Sequence, residues 1–210
     1  MSPRQRDPEG TAAARAERRV EVLAAAAELF ASRGYAATTV REVAEAAGML
    51  GGSLYYHFDS KESMVDEILS GFLTDMWADY DRITESGLGP ADTFRELIIS
   101  SFRSLDRHRA AVVIYQKESK HLGESPRFSY LLDSQRKFRE MWLKVLDTGV
   151  MDGVFRADLD TGLVYRFIRD TVWLAAGWYR HDGRLSAEEI ARQYIAMVLT
   201  GILAGGSHDA

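Results

Sequence analysis

Hydrophobic and polar positions repeat along most of this chain with the period of an α-helix. Between residues 14 and 33, Leu23, Ala26, Ala27 and Phe30 recur at i, i+3, i+4 and i+7, the spacing of one buried helical face. Gly34 is placed to end that helix. After a short connection, Thr38 or Thr39 can cap a second helix, in which Val40, Val43, Ala44 and Ala47 keep the same spacing before Gly48 stops it. The third helix is predicted short, about residues 50–57. Asp59 with Glu62 three residues on has the form of a capping box. It opens a long helix to about residue 84, with Met64, Val65, Ile68, Leu69, Phe72, Met76 and Trp77 inward. Residues 86–90, SGLGP, read as a loop, and further helices are predicted near 92–105, 107–119 and 127–150. Residues 147–160 read as a loop, and Asp160 or Thr161 caps a helix reaching about residue 179. Ser186 with Glu189 forms a second capping-box pattern and opens a last helix to about residue 203. The pattern yields nine helices, no strand and no internal repeat, an all-α fold.

Composition agrees with that pattern. Of 210 residues, 46% are apolar, enough for a sizeable core, and only four are proline. There is no cysteine, which excludes disulfides and thiolate chemistry. No apolar run reaches the roughly 18 residues of a membrane span, and the N-terminal residues lack the apolar segment of a signal peptide. A cytoplasmic protein with no membrane partner is expected. The net charge of −5 argues against a surface coated in nucleic acid, but a local basic patch remains compatible with DNA. Residues 1–19 hold Arg4, Arg6, Arg15, Arg18 and Arg19 against Asp7, Glu9 and Glu17. Residues 1–13 read as a flexible arm, either a solvated tail or one that meets phosphates or a minor groove.

Three short helices joined through a glycine-containing turn suit a helix-turn-helix. The stretch RVEVLAAAAELFASRGYAATTVREVAEAAG, followed by SLYYHFDSKESMVDEIL, resembles the DNA-binding domain of the TetR family of transcriptional repressors. The resemblance covers Arg18 to Leu69 and rests on Phe30-Gly34-Tyr35, Thr38-Thr39, Ala47-Gly48, the LYYHF run at 54–58 and Ser60-Lys61-Glu62. It implies three DNA-reading helices, then a larger helical domain that binds a small molecule and dimerises through its last two helices. The expected division is arm 1–13, helix-turn-helix domain 14–59, ligand-binding and dimerisation domain 60–204, and tail 205–210.

Resemblance and side-chain chemistry together assign DNA roles. Arg41 lies on the first turn of helix two, away from the Val40–Val43–Ala47 face, where its fork suits a guanine edge or a phosphate. Thr39 caps, and its hydroxyl can also meet a phosphate. Ser53, Tyr55 and His57 offer neutral hydrogen bonds to phosphates. Tyr56 presents a ring to a sugar or a thymine methyl, and Lys61 joins a cation to free N–H groups at a helix start. The stretch departs from the family pattern, because no Lys or Arg occurs between Ala47 and Phe58. Leu50 stands where a capping hydroxyl is usual, a loss of about 1 kcal/mol. Gly51 and Gly52 either allow close backbone approach to DNA or loosen the helix start.

The larger domain is rich in aromatics. Most belong to its core, and Trp77, Tyr115, Phe128, Trp142 and Trp173 are candidate walls of an effector pocket. LVYRFIRDTVWLAAGWY (163–179) reads as a helix apolar nearly all round, interrupted by Arg166, Arg169 and Asp170. Arg169 shares a face with Trp173. It meets either a carboxylate, such as Asp170 of a second subunit, or an anionic or carbonyl-bearing ligand. VVIYQKES, PRFSYLLDSQRKFREMW and DLDTGLVYRFIRDTVW resemble a narrower branch, the actinobacterial Kst-type regulators of cholesterol-ring degradation. That resemblance implies an effector that is a CoA thioester of a two-ring steroid fragment. Arg127, Arg136, Lys137 and Arg139 either meet its phosphates or form a solvated face.

Trp178, Tyr194, Ile195, Val198, Leu199 and Ile202 are the candidate dimer seam, and two-fold symmetry then requires a near-palindromic double-stranded operator. Three other readings compete, and two of them stay open. A TetR-type regulator could answer a drug or a fatty acyl-CoA, and a helical dimerisation module need not bind DNA. An enzyme finds no support: the five histidines show no metal-ligand spacing, and neither a nucleophile elbow nor a P-loop occurs. No cofactor and no metal is expected.

Overall fold

A computed structural model describes residues 8–204, with side chains from residue 13 onward. The arm residues 1–7, with Arg4 and Arg6, and the tail 205–210 lie outside the described residues. Among the described residues there are nine α-helices, and the backbone divides into two units that meet at Ser70 and Gly71, inside the fourth helix.

The first unit holds α1 (Pro8–Arg33), α2 (Val40–Ala46), α3 (Gly51–Leu54) and the start of α4 (Lys61–Thr84). Helix α1 begins at Pro8, so the expectation of an arm as far as residue 13 is corrected. Proline is tolerated in a first turn, and the Ala-rich run after it propagates the helix. Val22, Ala26 and Phe30 of α1 are buried, as are Val43, Ala44, Leu54, Phe58, Met64, Val65 and Leu69. This core explains why the unit continues eleven residues beyond the expected boundary at 59: the first turns of α4 supply three of its members. Gly34 and Gly48 have φ of 93° and 65°, the left-handed conformation that closes a helix and favours glycine. Thr39 caps α2 in a full capping box with Glu42. The cap of α4 differs from the expected Asp59–Glu62 pair. Ser60 and Ser63 exchange side-chain and backbone hydrogen bonds at 3.1 and 3.2 Å.

The second unit continues α4 and adds α5 (Pro90–Arg107), α6 (Arg109–Leu122), α7 (Ser129–Met151), α8 (Thr161–Leu174) and α9 (Ala187–Ile202). Short 3₁₀ turns at Pro126–Phe128 and Ala175–Gly177 precede α7 and follow α8. Helix α5 packs against both α7 and α9. Helix α7 runs to Met151, within a residue of the end expected at about 150, and Gly149 lets the chain fold back on itself. A Cβ at Gly149 would lie 2.1 Å from the Phe155 ring. Arg156 N–H then donates to Ile202 O at 2.8 Å, and Ala204 N–H to Val154 O at 3.0 Å. Asp160, not Thr161, caps α8, and the Ser186–Glu189 capping box opens α9.

The segment between α8 and α9 is tied to α5 through Asp106. Tyr179 donates to its Oδ1 at 2.5 Å, and His181 Nδ1 lies 2.8 Å from the same oxygen. Burial opposes the Asp106 charge, but the bonds from Tyr179 and His181 outweigh it and hold the carboxyl below its ordinary value. Asp106 in turn, by hydrogen bond and charge, raises His181 above its ordinary 6.5. A raised histidine stabilises the fold fully below its unfolded pKa and loses that effect as pH rises through the folded one. The melting temperature of the parent should therefore exceed that of His181→Ala at pH 6, and the gap should narrow from about pH 6.5 upward. A gap of the same size at pH 6 and pH 9 would show that the imidazolium contributes nothing.

Candidate DNA interface and effector cleft

Helices α2 and α3 are each closed by arginines of α1. Arg18 donates to Ala47 O at 2.8 Å, at the carbonyl end of α2. Arg15 donates to Tyr56 O at 2.9 Å, just beyond α3. Arg19 donates to His57 O, pairs with Glu67 of α4 and sits 4.0 Å above the Phe58 ring. Cations at helix carbonyl ends complement the exposed C=O groups and the helix dipole. From the sequence these arginines are either solvated charge or charge available to phosphates. Their spacing of three and four along α1 was visible, but which carbonyls they meet depends on how α1 crosses α2 and α3.

The residues assigned to DNA divide into three groups. Arg41 projects from α2 with 85% of its side chain exposed, and its guanidinium pairs with Glu45, one turn on, at 2.9 Å. Such an exposed pair contributes little, so a guanine edge or a phosphate can replace it. Tyr55 and Tyr56 are exposed, together with Gly51, Gly52 and Leu50, while Ser53 and His57 are half-buried. No atom lies within 4 Å of a Cβ built on Gly51 or Gly52, so nothing in the fold itself demands glycine there. Leu50 makes no side-chain cap, and α3 ends after four residues with a turn through His57. His57 Nδ1 is buried without a hydrogen-bond partner, so that nitrogen faces the protein rather than the surface. Thr39 is committed to its cap, where its hydroxyl meets Glu42 N–H at 3.2 Å.

The phosphate role expected of Lys61 is corrected. Its ammonium donates to Tyr35 O at 2.8 Å and Thr38 O at 2.9 Å, and lies 4.3 Å over the Tyr35 ring. It seals the α1–α2 connection against the start of α4.

In the second unit a cleft of about 600 Å³ opens between α6, α7 and α8. Tyr115, Phe138 and Trp173 make its aromatic wall, with Trp173 5.5 Å from each of the other two rings. Arg136, Arg139 and Arg169 bring three guanidiniums to the same cleft. Arg169 is exposed and donates to Asp170 of its own chain at 2.7 Å, one residue on. This removes the expectation that α8 is buried all round: Leu163, Phe167 and Leu174 also face solvent.

Three other candidate walls stand apart from this cleft. Trp77 lines a separate groove between α4 and α7, donating to Ser134 at 2.9 Å beneath the Lys137 ammonium. Phe128 is buried, and Trp142 is 1% exposed and packed edge-on against Phe94. Both are core, because their positions on α7 and the turn before it point into the bundle.

The expected seam is corrected in part. Trp178 is exposed and Val198 half-buried, but Tyr194, Ile195, Leu199 and Ile202 are buried within the chain, Tyr194 beside Phe102. Helical periodicity identified the apolar face of α9 but not what covers it, which is α5. On α8, α9 and the segment between them, the large apolar side chains left outside are Leu163, Phe167, Leu174, Trp178 and Met197. Among the described residues there is no cluster of three or more metal-ligating side chains, and no helix is long and apolar enough to cross a membrane.

A glycine-closed helix-turn-helix followed by a helical bundle with an amphipathic cleft defines a class of ligand-responsive DNA-binding regulators. The chain belongs to the TetR family: residues 22–68 match the bacterial regulatory proteins of that family, and residues 87–202 match the tetracyclin repressor-like C-terminal domain. It is 52% identical over 185 residues to the HTH-type transcriptional repressor KstR2 of Rhodococcus jostii, covering 88% of this chain and 91% of that one. It is 50% identical to KstR2 of Mycobacterium tuberculosis over 189 residues, covering 90% and 94%. The solved structure of that mycobacterial ketosteroid regulator superposes with a TM-score of 0.86 over 89% of this chain and 95% of the other. The chain is therefore a TetR-type transcriptional repressor close to KstR2, and not an enzyme.

Proposed function

We propose that this repressor binds a near-palindromic operator as a homodimer and leaves it on taking up a CoA thioester of a steroid-ring fragment. The observation that carries the reading is the union, in one cleft, of an aromatic wall (Tyr115, Phe138, Trp173) with three arginines (Arg136, Arg139, Arg169). A fused-ring fragment suits the wall, and the phosphates and carbonyls of a CoA thioester suit guanidinium forks. The relation to KstR2 repressors, one of them described as a ketosteroid regulator, supports the steroid part. The exposed apolar face of α8 supports the dimer, since a face of this kind marks an interaction surface. Arg41, Tyr55, Tyr56 and the open backbone at Gly51-Gly52 would then face the operator, with the α1 arginines holding α2 and α3 in register.

The test is thermal shift with the steroid-fragment CoA thioester, its free acid, a fatty acyl-CoA and a hydrophobic cationic drug. At 100-fold excess over Kd the thioester should stabilise the protein by about 2.7 kcal/mol, roughly 5–10 °C for a chain of this size. Arg169→Met should keep operator binding and lose most of that shift. A larger response to the fatty acyl-CoA would assign a different effector. A response to free acids or drugs alone would remove the thioester reading.

A further inference from the structure

Behind Trp173 lies a second, much smaller space. It is bounded in part by Phe72, Met76, Tyr80, Ser101, Ser104 and Val172, and has a volume of about 10 Å³. Among the described residues, Trp173 alone borders both this void and the outer cleft, so it stands between them.

The void has an apolar lining but is not wholly apolar. Ser101 donates to Leu97 O at 2.7 Å, which leaves Tyr80 as the donor in the 2.6 Å bond between Tyr80 and Ser101. Burial pushes the Tyr80 phenol far above its ordinary value, so it stays protonated as that donor. Both of those hydrogens are thus committed. Ser104 is 4% exposed, and its Oγ has no hydrogen-bond partner, not even the carbonyl one turn back that helical serines commonly use. A buried donor left unpaired is costly. The fold carries that cost at a position bordering a void that is open to one oxygen atom.

We propose that this void receives a ketone oxygen of the effector's ring system, with the Ser104 hydroxyl as its donor and the ring edge displacing the Trp173 indole. A carbonyl fits better than a hydroxyl, because the unused group of the site is a donor and a ketone only accepts. The inference rests on the thioester reading above and adds to it a means of telling oxygenated rings from plain hydrocarbon. A site built to hydrogen-bond a ligand oxygen rejects the analogue lacking it far more strongly than a hydrophobic wall rejects a change of size.

The experiment is titration calorimetry of parent and Ser104→Ala with two CoA thioesters of the same bicyclic skeleton, one bearing the ring ketone and one with that carbon reduced to methylene. The parent should prefer the ketone by about tenfold or more, and Ser104→Ala should bring the two within about twofold. Without ligand, Ser104→Ala should melt no lower than the parent, because its hydroxyl holds nothing in the chain. If neither thioester binds the parent, the thioester reading itself fails. If both bind without preference, or the preference survives in Ser104→Ala, the ketone receptor fails alone. A markedly lower melting temperature for ligand-free Ser104→Ala would give the hydroxyl a structural partner and equally overturn the proposal.

Discussion

Phe167→Asp should convert the protein to a monomer and reduce operator affinity by at least about a thousandfold. Phe167 is 63% exposed on α8, between Leu163 four residues before it and Leu174 seven residues after it. Burying a phenylalanine against a partner contributes roughly 1.5–3 kcal/mol. In a two-fold interface the residue appears twice, so its loss counts twice. A carboxylate at the same place adds the cost of desolvating an unpaired charge on each side. The monomer should still fold, since little of the ring is covered by its own chain. Sedimentation velocity at micromolar concentration and a mobility-shift titration read the two effects separately. A dimer that survives Phe167→Asp would move the seam away from α8. A monomer that still binds the operator at parental affinity would break the link between dimerisation and a palindromic site.

Arg41→Ala is the second large effect. A bidentate arginine on a base edge is worth about 1–3 kcal/mol, and a dimer presents two copies, so a loss of roughly 30-fold to ten-thousandfold is expected. The variant should fold normally because Arg41 gives up only its exposed pair with Glu45. Salt dependence then separates the two chemistries left open for this side chain. If Arg41 meets phosphate, the slope of log K against log salt falls by about one for each copy and affinity drops for all sequences alike. If it reads guanine, the slope changes little and discrimination between operator and random DNA collapses. Lys61→Ala is the contrasting control. Its ammonium is spent on Tyr35 and Thr38 carbonyls, so that change should lower the melting temperature and leave the salt slope as it was. Unchanged operator affinity in Arg41→Ala would take α2 out of DNA reading.

Local patterns were legible where a single helix satisfies itself. The Thr39–Glu42 and Ser186–Glu189 boxes, the glycine stops at Gly34 and Gly48 and the helical periods all involve residues within a few positions of one another. They appear in the structure much as the sequence predicts. The cap of α4 is one residue on from the expected Asp59: Ser60 and Ser63 exchange the capping hydrogen bonds, and the side chains of both Asp and Ser can cap a helix. Helix and loop are both expected at residues 147–150, and the structure makes them helix as far as Met151, where the missing Cβ of Gly149 makes room for Phe155.

The sequence by itself determined the helical class, the order of the helices, the helix-turn-helix and the family, because each of these follows from spacing along one chain. The tertiary structure alone decided which apolar and charged side chains are spent inside the fold. It turned Trp142, Phe128 and most of the α9 stripe into core and left Phe167 and its neighbours outside. It committed Lys61, Arg15, Arg18 and Arg19 to backbone carbonyls while leaving Arg41 exposed. The physical reason is that hydrophobicity and charge are properties of a residue, whereas burial and partnership depend on what another helix brings against it. For the same reason the unpaired Ser104 hydroxyl, one serine among several in the sequence, became visible only when the bundle closed around it.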